Sequence, residues 1–207
     1  MEQRSPEWYA ARLGKVTASR IADVIARTKT GYSASRANYL AELLCERLTG
    51  TTVDSYESAA MVWGREKEPD AKAAYSFMTD TAIEEAGFIT HSSIVMAGAS
   101  PDGLIGDDGL IEIKCPNSAT HIEALLSQVI EGKYLLQMQF QMAVTGRQWC
   151  DFVSFDPRLP PEMQLWTKRI YRQPEKIEEI EKEVHQFLNE LTFKVDALQS
   201  RYMRAAA

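Results

Sequence analysis

The stretch from Ala99 to Pro116 constrains this chain more than any other part of its sequence. It reads A-S-P-D-G-L-I-G-D-D-G-L-I-E-I-K-C-P, and its glycine-rich centre predicts a tight turn between two short strands. Because side chains alternate across a strand, Glu112 and Lys114 lie on the same face of the second strand. Two charges on one face of an otherwise apolar strand indicate a use for them, since an unpaired buried charge is unfavourable.

The first strand of this hairpin begins beside Asp102, whose side chain can return to the same place across the turn. Two carboxylates, from Asp102 and Glu112, together with the backbone carbonyl of Ile113, would offer hard oxygen donors suited to Mg²⁺ or Mn²⁺. Lys114 could lie beside a water or a phosphate oxygen. The alternative is ordinary hairpin chemistry on a solvated edge strand. The stretch alone leaves both interpretations open.

Composition predicts a globular protein. The chain has 207 residues, of which 45% are hydrophobic and 25% are charged, as expected for one domain with a sizeable core. No apolar run reaches membrane-spanning length and the N-terminus lacks a signal-like segment, so we expect a cytoplasmic protein without a membrane partner. Three scattered cysteines without a C-x-x-C pair argue against a disulfide framework, a zinc site or a four-ligand iron–sulfur cluster.

Charge is distributed unevenly along the chain. The net charge is −6, yet residues 1–36 hold seven Lys and Arg residues against three acids. A basic N-terminal section beside an acidic centre is compatible with an enzyme that grips a phosphate backbone locally. The alternative is a solvated helical surface.

Periodicity, caps and glycine stops predict the remaining elements. The predicted helices follow Ser5, cover Thr17–Arg27, run from a Ser35 cap to Gly50, cover Glu57–Met78, Ala119–Glu131 and Lys133–Thr145, and continue from Pro174. The predicted strands are Ala82–Ile89, Ser93–Ala97, the central hairpin, Cys150–Phe155 and Leu165–Tyr171. This order predicts an α/β fold with a central mixed sheet of about five strands flanked by helices.

Two predicted helices carry further polar candidates. Glu68 lies upstream of the hairpin, just before Pro69, although a single glutamate there is most often a surface residue. Downstream, Tyr134 and Gln137 are three residues apart and share a helix face. The glutamines of this helix either face solvent or turn inward to bind a metal-site water or a phosphate.

Four motifs occur together in a fixed order. They are W-Y-A-A-R-L-G-K-V-T-A-S from Trp8, W-G-R-E-K-E from Trp63, S-P-D-G-L with L-I-E-I-K-C-P from Ser100, and Y-L-L-Q-M-Q from Tyr134, with F-D-P-R from Phe155 as a fifth. This ordered set spans roughly two thirds of the chain and resembles the PD-(D/E)-x-K nuclease superfamily, more narrowly the phage lambda exonuclease and YqaJ-type viral recombinase family.

That resemblance implies a restriction-endonuclease-like core in one exonuclease domain over residues 1–207. Helices within 5–50 would bind DNA ends, about 57–172 would form the nuclease core, and about 174–204 the C-terminal helix. It implies a 5′-to-3′ exonuclease that digests linear duplex DNA from 5′-phosphorylated ends to mononucleotides and leaves 3′ single strands for annealing. A ring-shaped homotrimer and a single-strand annealing recombinase as partner are also implied.

The resemblance assigns roles to the matched residues. Two Mg²⁺ or Mn²⁺ ions would be held by Asp102, Glu112, the Ile113 carbonyl and Glu68. Lys114 would orient or help deprotonate the attacking water, and Gln137 would support the site. The terminal 5′-phosphate would be held by Arg12, Ser19 and Ser100, and the duplex would be contacted by Lys29 and Arg36.

Two other functions remain open from the sequence. One is an endonuclease on the same fold, and the other is a catalytically idle module that binds DNA ends or a partner.

Overall fold

The computed structural model describes residues 1–53 and 58–203. The predicted boundaries at Glu57 and near residue 204 lie outside them. In this part of the chain the helices are α1 Pro6–Arg12, α2 Ile21–Ile25, α3 Ala34–Thr49, α4 Ala59–Thr79, α5 Ser118–Ser127, α6 Gly132–Thr145 and α7 Pro174–Tyr202. The strands are β1 Val16–Thr17, β2 Arg27–Thr28, β3 Gly31–Tyr32, β4 Ile89–Thr90, β5 Ala97–Ala99, β6 Gly103–Ile105, β7 Gly109–Lys114, β8 Trp149–Phe155 and β9 Leu165–Tyr171.

Helix caps follow the predicted chemistry with one difference. Ser5 accepts a hydrogen bond from the backbone N–H of Trp8 at the start of α1, over 3.2 Å. At α3 the cap is Ser33 and not Ser35. Ser33 has the extended backbone that an N-cap requires, whereas Ser35 already lies within the first turn. The helix ends as predicted at Gly50, which takes a left-handed conformation.

The main sheet has the strand order β6-β7-β8-β9. Strands β7 and β8 are parallel, with α5 and α6 between them in the chain, while the other pairs are antiparallel. Glu84 adds an isolated bridge to Leu104 at the β6 edge. The predicted mixed sheet flanked by helices is confirmed, with four strands and one bridging residue where about five strands were expected.

A second, three-stranded sheet has the order β1-β5-β4. The predicted strands Ala82–Ile89 and Ser93–Ala97 contribute only short pieces to it, and they do not extend the main sheet. Gly98 explains part of this arrangement, because a Cβ there would lie 2.5 Å from the carbonyl oxygen of Ile89. Thr17, predicted to be helical, lies in β1, which pairs in parallel with β5.

Helices cover both faces of the main sheet. Ile111 and Ile113 of β7 pack in one cluster with Tyr75 of α4, whereas Leu110 packs in another with Met138 of α6. The apolar stripe of α7 joins a third cluster with residues of α2, α3 and α6. This C-terminal helix therefore closes the core. Among the residues that the structure describes, no helix is both long and apolar enough to cross a membrane.

Candidate active site

Glu112 lies at the centre of the predicted site and is 1% exposed. Its Oε1 accepts hydrogen bonds from Lys114 and, over 2.7 Å, from Gln137. Its Oε2 accepts a hydrogen bond from Gln141 over 2.6 Å. The two glutamines are four residues apart on α6, so they reach β7 from the same helix face. Three donors thus hold one buried carboxylate in a fixed orientation.

Asp102 directly precedes β6 and lies beside Glu112, because the neighbouring residues Gly103 and Ile111 are paired. Its Oδ2 accepts a hydrogen bond from the backbone N–H of Ile113 over 2.6 Å. Burial raises the pKa of Asp102 well above its usual value, and the charges of Glu112 and Glu68 raise it further. Although part of its surface is exposed, this carboxyl group lies in an environment that disfavours its negative charge.

Glu68 comes to the same region from α4. Arg4 donates to its Oε2 and Lys72 lies beside its Oε1, each at 3.1 Å. Its charge is among those that raise the pKa of Asp102. The structure therefore brings the three predicted acids, which come from three separate segments, into one electrostatic neighbourhood.

Lys114 is the cation of this neighbourhood. Burial lowers the pKa of its ammonium group, but the carboxylates of Glu112 and Asp102 raise it more, so the net shift is upward. Its Nζ also lies 5.1 Å from the centre of the Tyr134 ring. In the metal-free protein the neighbouring carboxylates therefore favour the protonated form of Lys114.

The predicted ligands fit a divalent cation in donor type and in charge. Asp102, Glu112 and the Ile113 carbonyl offer oxygen donors, and a cation would relieve the repulsion that raises the pKa of Asp102. Within residues 1–53 and 58–203, no group of three or more His, Cys, Asp or Glu side chains is arranged to hold a metal ion. The number of ions and their ligands therefore remain predictions.

The three residues predicted to hold a 5′-phosphate lie near one another. Arg12 donates to the hydroxyl oxygen of Ser100 over 3.2 Å, and Trp8 donates to the same oxygen over 2.9 Å. Arg12 and Ser19 line one cleft. Burial lowers the pKa of the Arg12 guanidinium, and the charge of Glu46 offsets this only in part.

The cleft that contains Arg12 and Ser19 has a volume of about 720 Å³. Five cationic side chains line it against two acidic ones, which are Arg4, Arg12, Lys15, Arg20 and Arg65 against Glu42 and Glu46. Such an excess of positive charge favours a phosphate group. We call this feature the cationic cleft.

The two residues predicted to contact the duplex lie in different environments. Lys29 is exposed in the turn between β2 and β3. Arg36 is 4% exposed, pairs with Glu190 of α7 over 2.7 Å and stacks on Tyr32 at 3.8 Å. A DNA contact at Arg36 does not fit this position, because its guanidinium already bridges α3 and α7 inside the protein.

A family model for the YqaJ-like viral recombinase domain matches residues 7–148. The chain belongs to this family. The match includes the three residues predicted to hold a 5′-phosphate, the three acids, Lys114 and both glutamines that contact Glu112. It confirms the family resemblance that the ordered motifs indicate.

Solved structures support the relationship. This YqaJ-family chain is similar to an alkaline exonuclease, LHK-Exo, from Laribacter hongkongensis, with 54% identity, a TM-score of 0.89 and coverage of 95% of this chain and 97% of that one. A complex of LHK-Exo with dAMP gives 53% identity and a TM-score of 0.90, with the same coverage. A phage related exonuclease from Haemophilus somnus 129PT shares the fold, with a TM-score of 0.74 at 16% identity over 89% of this chain and 96% of that one.

The chain is also similar to a curated mimivirus protein. The uncharacterized protein R354 of Acanthamoeba polyphaga mimivirus is 27% identical over 166 residues, which cover 74% of this chain. The aligned part is 29% of that protein's length.

Two contacts in this YqaJ-family site were not predicted from sequence. Gln141 was grouped only with the other glutamines of its helix, although its spacing of four from Gln137 could have placed both on Glu112. Arg4 was counted only as part of the basic N-terminal section, and no local pattern connects it to Glu68, which lies 64 residues away.

Proposed function

We propose that this chain is a metal-dependent 5′-to-3′ exonuclease that degrades linear duplex DNA from 5′-phosphorylated ends. The products would be mononucleotides and a 3′ single strand for recombination by annealing. Similarity to an alkaline exonuclease over nearly the whole chain supports a nuclease role. The related enzyme was studied in complex with dAMP, which belongs to the expected class of product.

The observation that carries this proposal is the position of Ser100. Its hydroxyl oxygen accepts from Arg12, and it lies two residues before Asp102 in the same segment. A terminal phosphate at Arg12 would therefore bring a neighbouring phosphodiester close to the acids. This coupling between end binding and the acidic site favours cutting from a 5′ terminus over cutting within a duplex.

The side chains would divide the chemistry between them. Mg²⁺ or Mn²⁺ ions, held by Asp102, Glu112, the Ile113 carbonyl and Glu68, would supply a Lewis acid that offsets the charge of the phosphodiester. Lys114 would place positive charge where negative charge grows in the transition state. Gln137 would keep the Glu112 carboxylate in orientation, so that its oxygen atoms face the site.

Linear duplexes with 5′-phosphate or 5′-hydroxyl ends, together with closed circular DNA, provide the test. With Mg²⁺, we expect mononucleotides from the phosphorylated linear substrate, slower release from the hydroxyl end and no cutting of the circle. Chelation of the metal should stop the reaction, and Glu112→Gln and Lys114→Met should abolish it while the circular dichroism spectrum is retained.

Lys168→Met serves as the matched control, because Lys168 lies on β9 and donates to the Gln128 carbonyl. Its activity should equal that of the wild type. Cutting of closed circles would instead indicate an endonuclease. DNA-end binding without any product would indicate an idle binding module, and activity in both site variants would refute the assigned chemistry.

The assembly belongs to the same proposal. A homotrimeric ring around the duplex and an annealing recombinase as partner would explain continued digestion and use of the 3′ strand. Light scattering of the purified protein tests for the trimer, since a monomeric mass at micromolar concentration would exclude it.

A further inference from the structure

Arg4 has an unusual backbone conformation for a residue with a side chain. Its φ is +69°, in the left-handed region that favours glycine. Such residues persist where the surroundings fix them, and they are concentrated at functional sites. Arg4 takes this conformation as the third residue of a turn, which the Ser5 N–H closes by donating to the Glu2 carbonyl over 3.4 Å.

The neighbours of Arg4 hold its backbone in place. The side-chain nitrogen Nε2 of Gln3 donates to the carbonyl oxygens of Ala86 and Pro101, each over 2.8 Å. On the other side, Ser5 is the N-cap of α1. The segment is thus fastened beside Pro101, which directly precedes Asp102.

The guanidinium of Arg4 lies at a junction between two regions. Its Nη2 is 3.1 Å from Oε2 of Glu68, and the residue also lines the cationic cleft together with Arg12. The Arg4 side chain is 44% exposed. An incoming phosphate could therefore reach it from solvent.

Glu68 does not depend on Arg4 alone for a positive partner. Lys72 lies 3.1 Å from its other carboxylate oxygen. If Arg4 turned to a phosphate, Glu68 would keep one cationic neighbour. An ordinary exposed ion pair adds little stability, so the fold does not depend on the contact between Arg4 and Glu68.

We propose that Arg4 is a substrate-binding residue that contacts a backbone phosphate of the 5′-terminated strand, between the phosphate in the cationic cleft and the three acids. The inference rests on the proposed function for its substrate class. Its guanidinium provides a charged, forked donor suited to phosphate oxygens.

Arg4→Gly is the decisive variant, because glycine suits the observed φ while the guanidinium is lost. Binding is measured by fluorescence anisotropy with a 5′-phosphorylated duplex oligonucleotide in chelator, so that no cutting occurs, over a series of salt concentrations. We expect about tenfold weaker binding and a salt slope smaller by about one, as for the loss of one phosphate contact. The melting temperature should not fall, and Arg4→Lys should recover part of the affinity.

Two controls separate a phosphate contact from an effect of backbone conformation and from an effect of net charge. Asp80→Gly replaces another residue with positive φ, +50°, at the C-cap of α4, and it tests the backbone effect alone. Lys194→Ala removes one positive charge from α7, where Lys194 pairs with Glu190, and it tests the effect of net charge. Both should bind the duplex within about twofold of wild type, as expected when no phosphate contact is lost.

Unchanged affinity and salt slope in Arg4→Gly would overturn the inference, as would an equal loss in Lys194→Ala or a wild type that does not bind the duplex. The proposed function fails separately: a wild type that binds the duplex but releases no nucleotide with Mg²⁺ refutes the exonuclease and leaves the Arg4 contact supported.

Discussion

Gln141 donates a hydrogen bond to Oε2 of Glu112 over 2.6 Å, from a side chain that is fully buried. The other amide atom, Oε1, has no hydrogen-bond partner in the part of the chain that the structure describes. The side chain therefore makes its polar contact with the carboxylate at the centre of the site. This contact orients the carboxylate, and it is separate from the hydrogen bond that Gln137 donates to Oε1 of Glu112.

We expect Gln141→Leu to lower kcat/KM on phosphorylated duplex DNA by about 10- to 100-fold, as is typical when a group that supports a ligand is lost. The free energy of unfolding should fall by about 1–3 kcal/mol, because Oε2 of the buried Glu112 loses its hydrogen-bond donor. Steady-state kinetics and urea unfolding check the two effects. An active enzyme with unaltered kinetics would contradict the orienting role.

Gln139 supplies the matched control on the same helix. It is buried, but it donates to the Tyr171 carbonyl and accepts from the Gln173 backbone N–H. Gln139→Leu should lower the free energy of unfolding by about 1 kcal/mol, because two partly buried backbone groups lose their partner. Its kcat/KM, measured below the unfolding transition, should stay close to that of the wild type.

Asp102→Asn should stabilise the metal-free protein while abolishing the nuclease activity. Burial and the charges of Glu112 and Glu68 disfavour the Asp102 carboxylate, and asparagine keeps an acceptor for the Ile113 N–H without that charge. A gain on the order of 1 kcal/mol is expected in chelator at neutral pH. Urea unfolding measures this gain. A loss of stability in the variant would refute the interpretation that neighbouring negative charges and burial disfavour the Asp102 carboxylate.

Asp151→Asn is the contrasting substitution. Asp151 is also buried, but it accepts from Tyr75 over 2.6 Å and pairs with Arg169 over 2.8 Å. Its charge is compensated, so the same change of residue should destabilise the protein by about 1–3 kcal/mol. Opposite changes in the free energy of unfolding for the two variants would distinguish a buried charge that its surroundings disfavour from one that hydrogen bonds and an ion pair compensate.

Asp156 should account for part of the pH dependence of the protein's free energy of unfolding. Burial alone would raise the pKa of this carboxyl group, but hydrogen bonds from Arg158 and Ser118 lower it to about 2. The folded state binds this proton more weakly than the unfolded state does. The contribution of Asp156 to the free energy of unfolding is therefore complete above about pH 5 and is lost as pH falls through about 2. Asp156→Asn should therefore cost about 2 kcal/mol at pH 7 and progressively less below pH 4.

Urea unfolding of wild type and Asp156→Asn at several pH values checks this dependence. A constant difference between the two proteins from pH 7 to pH 3 would contradict it. Glu162→Gln, at an exposed acid in the turn before β9, controls for the loss of one carboxylate from the surface.

Substitutions at Lys29 and Arg36 should have different effects, one on DNA binding and the other on the stability of the fold. Lys29→Ala should weaken duplex binding and reduce the salt slope by about one, with no change in the free energy of unfolding. Arg36→Met should destabilise the protein by about 1–3 kcal/mol through loss of the Glu190 pair and the Tyr32 contact. Anisotropy titration and urea unfolding measure both. An equal loss of DNA affinity in the two variants would contradict the interior position of Arg36.

The features predicted from sequence are those that nearby residues determine. The Ser5 cap, the glycine end of α3 and the bounds of β9 depend on a few consecutive positions. The closeness of Asp102 and Glu112 follows from one hairpin. Helix faces with regular apolar spacing, such as that of α7, were also predictable because the pattern repeats.

The remaining features depend on distant contacts. Arginine is usually a surface residue, yet Arg36 is held inside the protein by Glu190, which lies 154 residues later in the chain. Residues 82–97 have strand-like composition, but their pairing depends on β1, far upstream. Arg4 likewise meets Glu68 only after α4 has packed on the sheet. Local propensity does not contain this information.

The side chains that helices contribute to the site come from opposite faces of the main sheet. Glu68 is carried by α4, whereas Gln137 and Gln141 are carried by α6, and the two helices pack against different faces of β7. A newly synthesised chain in which either helix has not yet packed on the sheet lacks part of the proposed site, which is Glu68 in one case and the two glutamines in the other. We therefore expect nuclease activity to appear only after both helices have packed.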